Sequence, residues 1–101
     1  MVATVTTGWD PRPFLDCPVP WYHGASDSHW VETATPAEIA THLRQAIAFT
    51  AAQPESTLAN SVLIYAWNET DEGGWLVPDK GQGTARLDAI RAVVDDIRHG
   101  Q

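Results

Sequence analysis

Two carboxylates carry the most pointed chemical signal in this 101-residue chain: Asp10, in Gly8-Trp9-Asp10, and Glu69, in Trp67-Asn68-Glu69. Each follows a tryptophan within two positions, and Glu72 and Trp75 come shortly after the second. Carboxyl pairs about 5 to 9.5 Å apart serve glycosidic bond cleavage, one protonating the leaving oxygen while the other acts as base or nucleophile. Indole rings suit the same chemistry, because pyranose C–H faces stack on them while carboxylates and amides bind the hydroxyls at the edges. Trp9, Trp67 and Trp75 are the candidates for that contact, ahead of Trp21 and Trp30. An isolated Asp or Glu is more often a turn cap or a solvated loop acid than a catalyst, so the weight falls on two acids at equivalent places in the fold.

Those places are set by the elements around them. Ala3 to Trp9 is rich in β-branched residues and stops at Gly8, Asp10 and Pro11, which predicts a strand. Residues 10–34 hold four prolines and no sustained periodicity, predicting a long functional loop whose Phe14, Trp21, Tyr22 and Trp30 argue against disorder. Thr35, Pro36 and Glu38 form a capping-box start to a helix that keeps Ile39, Leu43 and Ile47 on one face to about Ala52. Ser61 to Trp67 is a short continuous apolar run, expected as a strand covered on both faces. Residues 68–83 read as a second long loop, and Thr84 opens a last helix with Leu87, Ile90, Val94 and Ile97 at helical spacing, closed by Gly100. The order is strand, loop, helix, strand, loop, helix. Long loops after strands and short connections after helices are the asymmetry of a (β/α) barrel, whose chemistry sits at the C-terminal ends of its strands.

Composition narrows the partners. Thirteen acidic against six basic residues give a formal charge of −7, which repels phosphate backbones and disfavours nucleic acid. No apolar run approaches the roughly 20 residues that span a bilayer, and the first residues lack the pattern of a signal peptide. The single Cys17 excludes an internal disulfide and fits either redox compartment. Flanked by Asp16, it is a poor nucleophile for a pairing with His23. His23, Asp27 and His29 match no strong metal signature, and Gly81-Gln82-Gly83 lacks the Lys of a phosphate cradle, so neither metal nor cofactor is expected.

The string Tyr65-Ala66-Trp67-Asn68-Glu69-Thr70-Asp71-Glu72-Gly73-Gly74-Trp75-Leu76-Val77-Pro78, with Gly8-Trp9-Asp10 upstream and Thr84-Ala85-Arg86-Leu87-Asp88 downstream, resembles the C-terminal end of TIM-barrel glycosidase-like proteins. The nearest group is the glycoside hydrolase family 99-like set, including members labelled as lipopolysaccharide-biosynthesis glycosyltransferases. These carry W-N-E-x-x-E-G after the last strand and G-W-D-x-x-P after the one before. The resemblance implies that Asp10, Asn68, Glu69 and Glu72 are active-site positions and that Trp9, Trp67 and Trp75 surround them. Glu69 would be the leading catalytic group, with Asp10 or Glu72 as helper and Asn68 donating to a sugar hydroxyl. The chain departs from the pattern at Phe14, where a second basic residue is expected.

The implied fold is α/β: residues 1–101 form one partial domain, two βα units corresponding to the last quarter of a (β/α)8 TIM barrel. A complete barrel takes about 250 residues, so a C-terminal fragment of a carbohydrate-active enzyme is expected, inactive alone. Its partners would be an oligosaccharide or polysaccharide and, through exposed strand edges, further copies of itself. The alternative is a small non-catalytic carbohydrate-binding or interaction module.

Overall fold

The computed structural model describes residues 1–21, 29–56 and 60–100. Strand β1 (Ala3–Thr6) runs parallel to strand β2 (Val62–Tyr65), with Ala3 opposite Val62 and Thr6 opposite Tyr65. Parallel neighbours need a crossover, and helix α2 (Pro36–Ala52) supplies it. A four-residue helix, α1 (Pro13–Asp16), precedes it, and helix α3 (Ala85–His99) follows β2.

The capping box is present in full. Glu38 N–H donates to Thr35 Oγ1 at 3.1 Å, and Thr35 N–H donates to Glu38 Oε1 at 3.0 Å, with Pro36 in the first turn. One face of α2, through Leu43 and Ala46, packs on Val5 of β1 and on Val93 of α3. An Arg44–Asp96 ion pair of 2.5 Å marks the side on which the two long helices meet. Gly100 ends α3 as expected, its N–H donating to Asp96 O at 2.7 Å.

Both long helices lie on the same side of the two-stranded sheet, so the fold is one helix layer on one sheet layer. The radius of gyration, 15.5 Å, exceeds the roughly 13 Å of a compact domain this long. The fully buried apolar set is correspondingly small: Val5, Ile39, Leu43, Ala46, Leu76 and Val93 among the described residues.

Several expectations change. β1 ends at Thr6, and Trp9 instead forms an antiparallel bridge with Val31, because Gly8 and the Pro-rich segment turn the chain out of the sheet. β2 is covered on one face only: Val62 and Ile64 point to the helices, whereas Leu63 is 60% exposed on the opposite face. The apolar run suits burial on both sides, but no second layer of described residues lies there. Residues 10–34 are not without structure, since Pro13 at the first helical position allows α1. In the second expected loop, residues 68–75 fold as a small hairpin, β3 (Asn68–Glu69), a 3-10 turn (Thr70–Glu72) and β4 (Gly74–Trp75). Thr84 opens α3 as expected, its carbonyl accepting from Asp88 N–H at 2.8 Å, but its side chain caps no backbone N–H and its hydroxyl donates instead to Asp88 Oδ2 at 2.9 Å. The fold is thus mixed α/β with three helices and a few short strands, and the parallel sheet among the described residues stops at two strands.

Candidate functional site

The C-terminal ends of β1 and β2 meet at Thr7, whose N–H and hydroxyl both donate to Tyr65 O, at 2.8 and 2.9 Å. From that junction the two chains diverge, one into Trp9-Asp10 and the other into the hairpin. They are rejoined by the hairpin's turn: Asp10 N–H donates to Glu72 O at 2.5 Å, and Tyr65 O–H donates to Glu72 Oε1 at 2.7 Å. The Trp9 and Tyr65 rings lie 6.3 Å apart, tilted by 56°. Asp10, Glu72, Trp9 and Tyr65 therefore form one cluster at the strand ends.

Two adjacent glycines allow this approach. Gly73 adopts a left-handed conformation (φ 76°) that closes the 3-10 turn, and a Cβ there would lie 2.9 Å from both Asp10 N and Asp10 Cβ. At Gly74 a Cβ would overlap Tyr65 Cε1 outright. The Gly-Gly pair is thus what lets the hairpin rest on both strand ends.

Asp10 is not an open carboxylate. Arg12 grips it in a fork, Nε to Oδ1 at 2.8 Å and Nη2 to Oδ2 at 2.7 Å, while the Arg12 N–H donates to Oδ1 at 3.1 Å. The Arg12 hydrogen bonds hold the Asp10 carboxyl below its ordinary value, and Asp10 in turn raises that of Arg12. The guanidinium also lies over the Trp30 ring, 3.6 Å from its centroid. Asp10, Arg12, Trp30 and Glu32 line an open cleft of about 490 Å³.

The remaining predicted residues lie on the hairpin. Asn68 pairs with Trp75 and Glu69 with Gly74 in the short antiparallel ladder, and both Asn68 and Glu69 face solvent. Trp67 is 54% exposed, while its carbonyl accepts from Leu76 N–H at 2.9 Å and Val77 N–H at 3.1 Å. Trp75 is half-buried: its indole N–H donates to Asp79 Oδ2 at 3.2 Å, and Arg86 stacks on its ring at 4.4 Å. Arg86, only 6% exposed, also donates from Nη1 to Trp75 O at 2.8 Å. Burial lowers the Arg86 pKa, and the Gln82 N–H, followed by the indole of Trp75, lowers that of Asp79.

The structure thus joins Asp10, Glu72 and Trp9, and sets Glu69, Asn68 and Trp67 on the exposed hairpin beside them. Sequence reasoning missed Tyr65, Arg12 and Arg86, and ranked Trp30 below the other tryptophans. Tyr65 was readable only as an apolar strand residue. Arg12 had a signal, an Asp-x-Arg spacing beside a proline turn. No three metal-capable side chains gather among the described residues, and His23 and Asp27 lie outside them. No helix among the described residues is long and apolar enough to cross a membrane. No family model, curated protein or solved structure matches the chain.

Proposed function

We propose that the strand-end cluster and its hairpin bind a carbohydrate, and that the two βα units contribute this site to a (β/α)-barrel enzyme cleaving glycosidic bonds. The observation that carries this reading is the backbone bond that joins Asp10, just past β1, to Glu72, in the turn that folds back after β2, beside Trp9 and Tyr65. Glu69 and Trp67, exposed on the same hairpin, are accessible to a ligand laid across the rim. In this reading Glu69 transfers the proton and Glu72, its carboxylate oriented by Tyr65, is the second acid. Asp10 is an orienting group: a carboxylate held ionised in an arginine fork does not donate a proton at neutral pH. Asn68 binds a sugar hydroxyl. The two-strand unit alone is expected to bind weakly and not to turn over aryl glycosides.

The locked state of Asp10 also favours a second reading, a carbohydrate-binding module without catalysis. Titrating neutral oligosaccharides and a cationic iminosugar against tryptophan fluorescence, with and without Glu69→Gln, separates the two. A cationic iminosugar that binds more tightly than the neutral oligosaccharides and loses that preference in the variant supports the enzyme; neutral binding with no such preference in either form supports the module. Unchanged fluorescence across neutral oligosaccharides would overturn both.

A further inference from the structure

Among the described residues, no further strand pairs with either edge of the two-stranded sheet. Because Thr7 N–H donates to Tyr65 O in a parallel register, Ala3 and Val5 turn their backbone groups toward β2. The N–H and C=O groups of Thr4 and Thr6 then point outward along the free edge of β1. By the same register Leu63 and Tyr65 face β1, and Val62 and Ile64 present the free edge of β2. A parallel sheet is ordinarily covered on both faces and flanked by further strands, and among the described residues neither holds for the strand pair.

The helix layer carries a matching pair of flanks. On α2, the stripe turned away from the Arg44–Asp96 contact holds Glu38, His42, Gln45 and Phe49. On α3, the stripe turned away from it holds Leu87, Arg91, Val94 and Arg98, at the same residue intervals. Phe49 is 43% exposed on the first stripe and Val94 is 40% exposed on the second. Glu38, His42 and Gln45 line an open cleft of about 460 Å³ beside Thr6 and the free edge of β1, with Glu32 on its rim. The α2 side therefore carries Glu38, Glu32 and an exposed aromatic, and the α3 side carries two arginines and the exposed Val94. Arg91 makes only a loose 3.7 Å contact with Asp95 within its own helix.

We propose that the partner is a second copy of this chain, joined head to tail: the β2 edge and α3 flank of one copy meet the β1 edge and α2 flank of the next. The contact is heterologous, so it propagates until it closes. Eight parallel strands close a barrel, which two-stranded copies reach at four. Barrel interiors are filled by layers of four side chains from alternate strands. In such a ring alternate strands are the copies of β2, so the exposed Leu63 of each would form one layer. All copies would then present Asp10, Glu69 and Glu72 on the same rim. The inference uses the strand edges and helix flanks, and stands apart from the sugar reading.

The test is molar mass by light scattering and sedimentation equilibrium of the full chain at micromolar concentration, with folding followed by circular dichroism. The wild type is expected at the mass of four 11.0 kDa chains. Thr4→Pro removes an outward N–H that the β1–β2 ladder does not use, and is expected to reduce the mass to one chain. Should that variant fail to fold, Arg91→Glu/Arg98→Glu on the exposed flank gives the same readout. It is expected to raise the dissociation concentration at least about tenfold, with recovery when His42→Lys/Gln45→Lys is added in the same chain. A wild type that stays a single chain, or an oligomer indifferent to the flank reversal, overturns the proposal and assigns the free edges to another occupant.

Discussion

Gly74→Ala is expected to uncouple the hairpin from the strand ends, through a clash that can be located atom by atom. The added Cβ overlaps Tyr65 Cε1 and lies 2.8 Å from Cδ1 and 3.1 Å from Cζ. The ring has little room to yield. Its hydroxyl donates to Glu72 at 2.7 Å and its face tilts against Trp9, so a swing that relieves the overlap breaks the Glu72 contact. Overpacking costs about 1 to 3 kcal/mol, and the lost hydrogen bond about 0.5 to 1.5 kcal/mol more. Together these give about 1.5 to 4.5 kcal/mol, a drop in Tm of roughly 7 to 22 °C for a domain this size. Urea unfolding of Gly74→Ala, Tyr65→Ala and the double variant forms the decisive cycle. If the clash is with the ring, the double variant loses the Gly74 penalty, giving a coupling of about 1 to 3 kcal/mol. Additivity within about 0.5 kcal/mol would refute the account. Gly81→Ala, whose nearest neighbour would be Asp79 Oδ1 at 3.5 Å, is the control and should change stability by less than about 0.5 kcal/mol.

Three further outcomes follow from individual contacts. Asp10 has a folded pKa below its ordinary value, so its pairing with Arg12 contributes stability above the usual carboxylate range and loses it as pH falls through the lowered value. The difference in urea midpoint between wild type and Asp10→Asn should therefore shrink between about pH 5 and pH 2; a constant difference would exclude the ion pair as its source. Arg86→Ala removes the bond to Trp75 O and the guanidinium from the Trp75 ring, leaving a gap at a buried position. It should cost about 2 to 4 kcal/mol and red-shift tryptophan emission, and an unshifted spectrum would mean that Trp75 is not held by Arg86. Thr35→Ala opens the capping box and should cost about 1 kcal/mol of unfolding free energy; no loss would show that Pro36 alone fixes the start of α2.

The readable parts of the chain were those fixed by local rules. The Thr35–Glu38 box, the apolar stripe of α2 and the Gly100 stop depend on residues three or four apart, and each appears at its expected place. Ser61 to Trp67 was recognisable as a strand by its apolar run, but composition does not say whether neighbours exist to cover Leu63, so two-sided burial did not follow. The hairpin at residues 68–75 was hidden because its strands are two residues each and its shape depends on Gly73 in a left-handed conformation against Asp10. The site divided in the same way. Asp10 and Glu72 could be nominated from motif position and the Arg12 fork had a local signal two residues on, whereas the Tyr65–Glu72 bond needs the hairpin folded back on the end of β2 and the Asp10–Glu72 backbone bond needs β1 and β2 paired.

The Trp9–Val31 bridge has a consequence for how this chain can change. Trp9 and Val31 exchange backbone hydrogen bonds, at 3.3 and 2.6 Å, so the long excursion between them leaves and rejoins the frame at one point. Arg12 and Trp30, just inside that point, clasp it a second time. With the frame closed at that point, a change in the length of the stretch between is entropically cheap, since doubling such a loop costs only about 0.6 kcal/mol. Helix α1, which packs on the 3-10 turn, ties the start of the stretch to the site, so length can vary after α1 while Asp10 keeps its place beside the cleft.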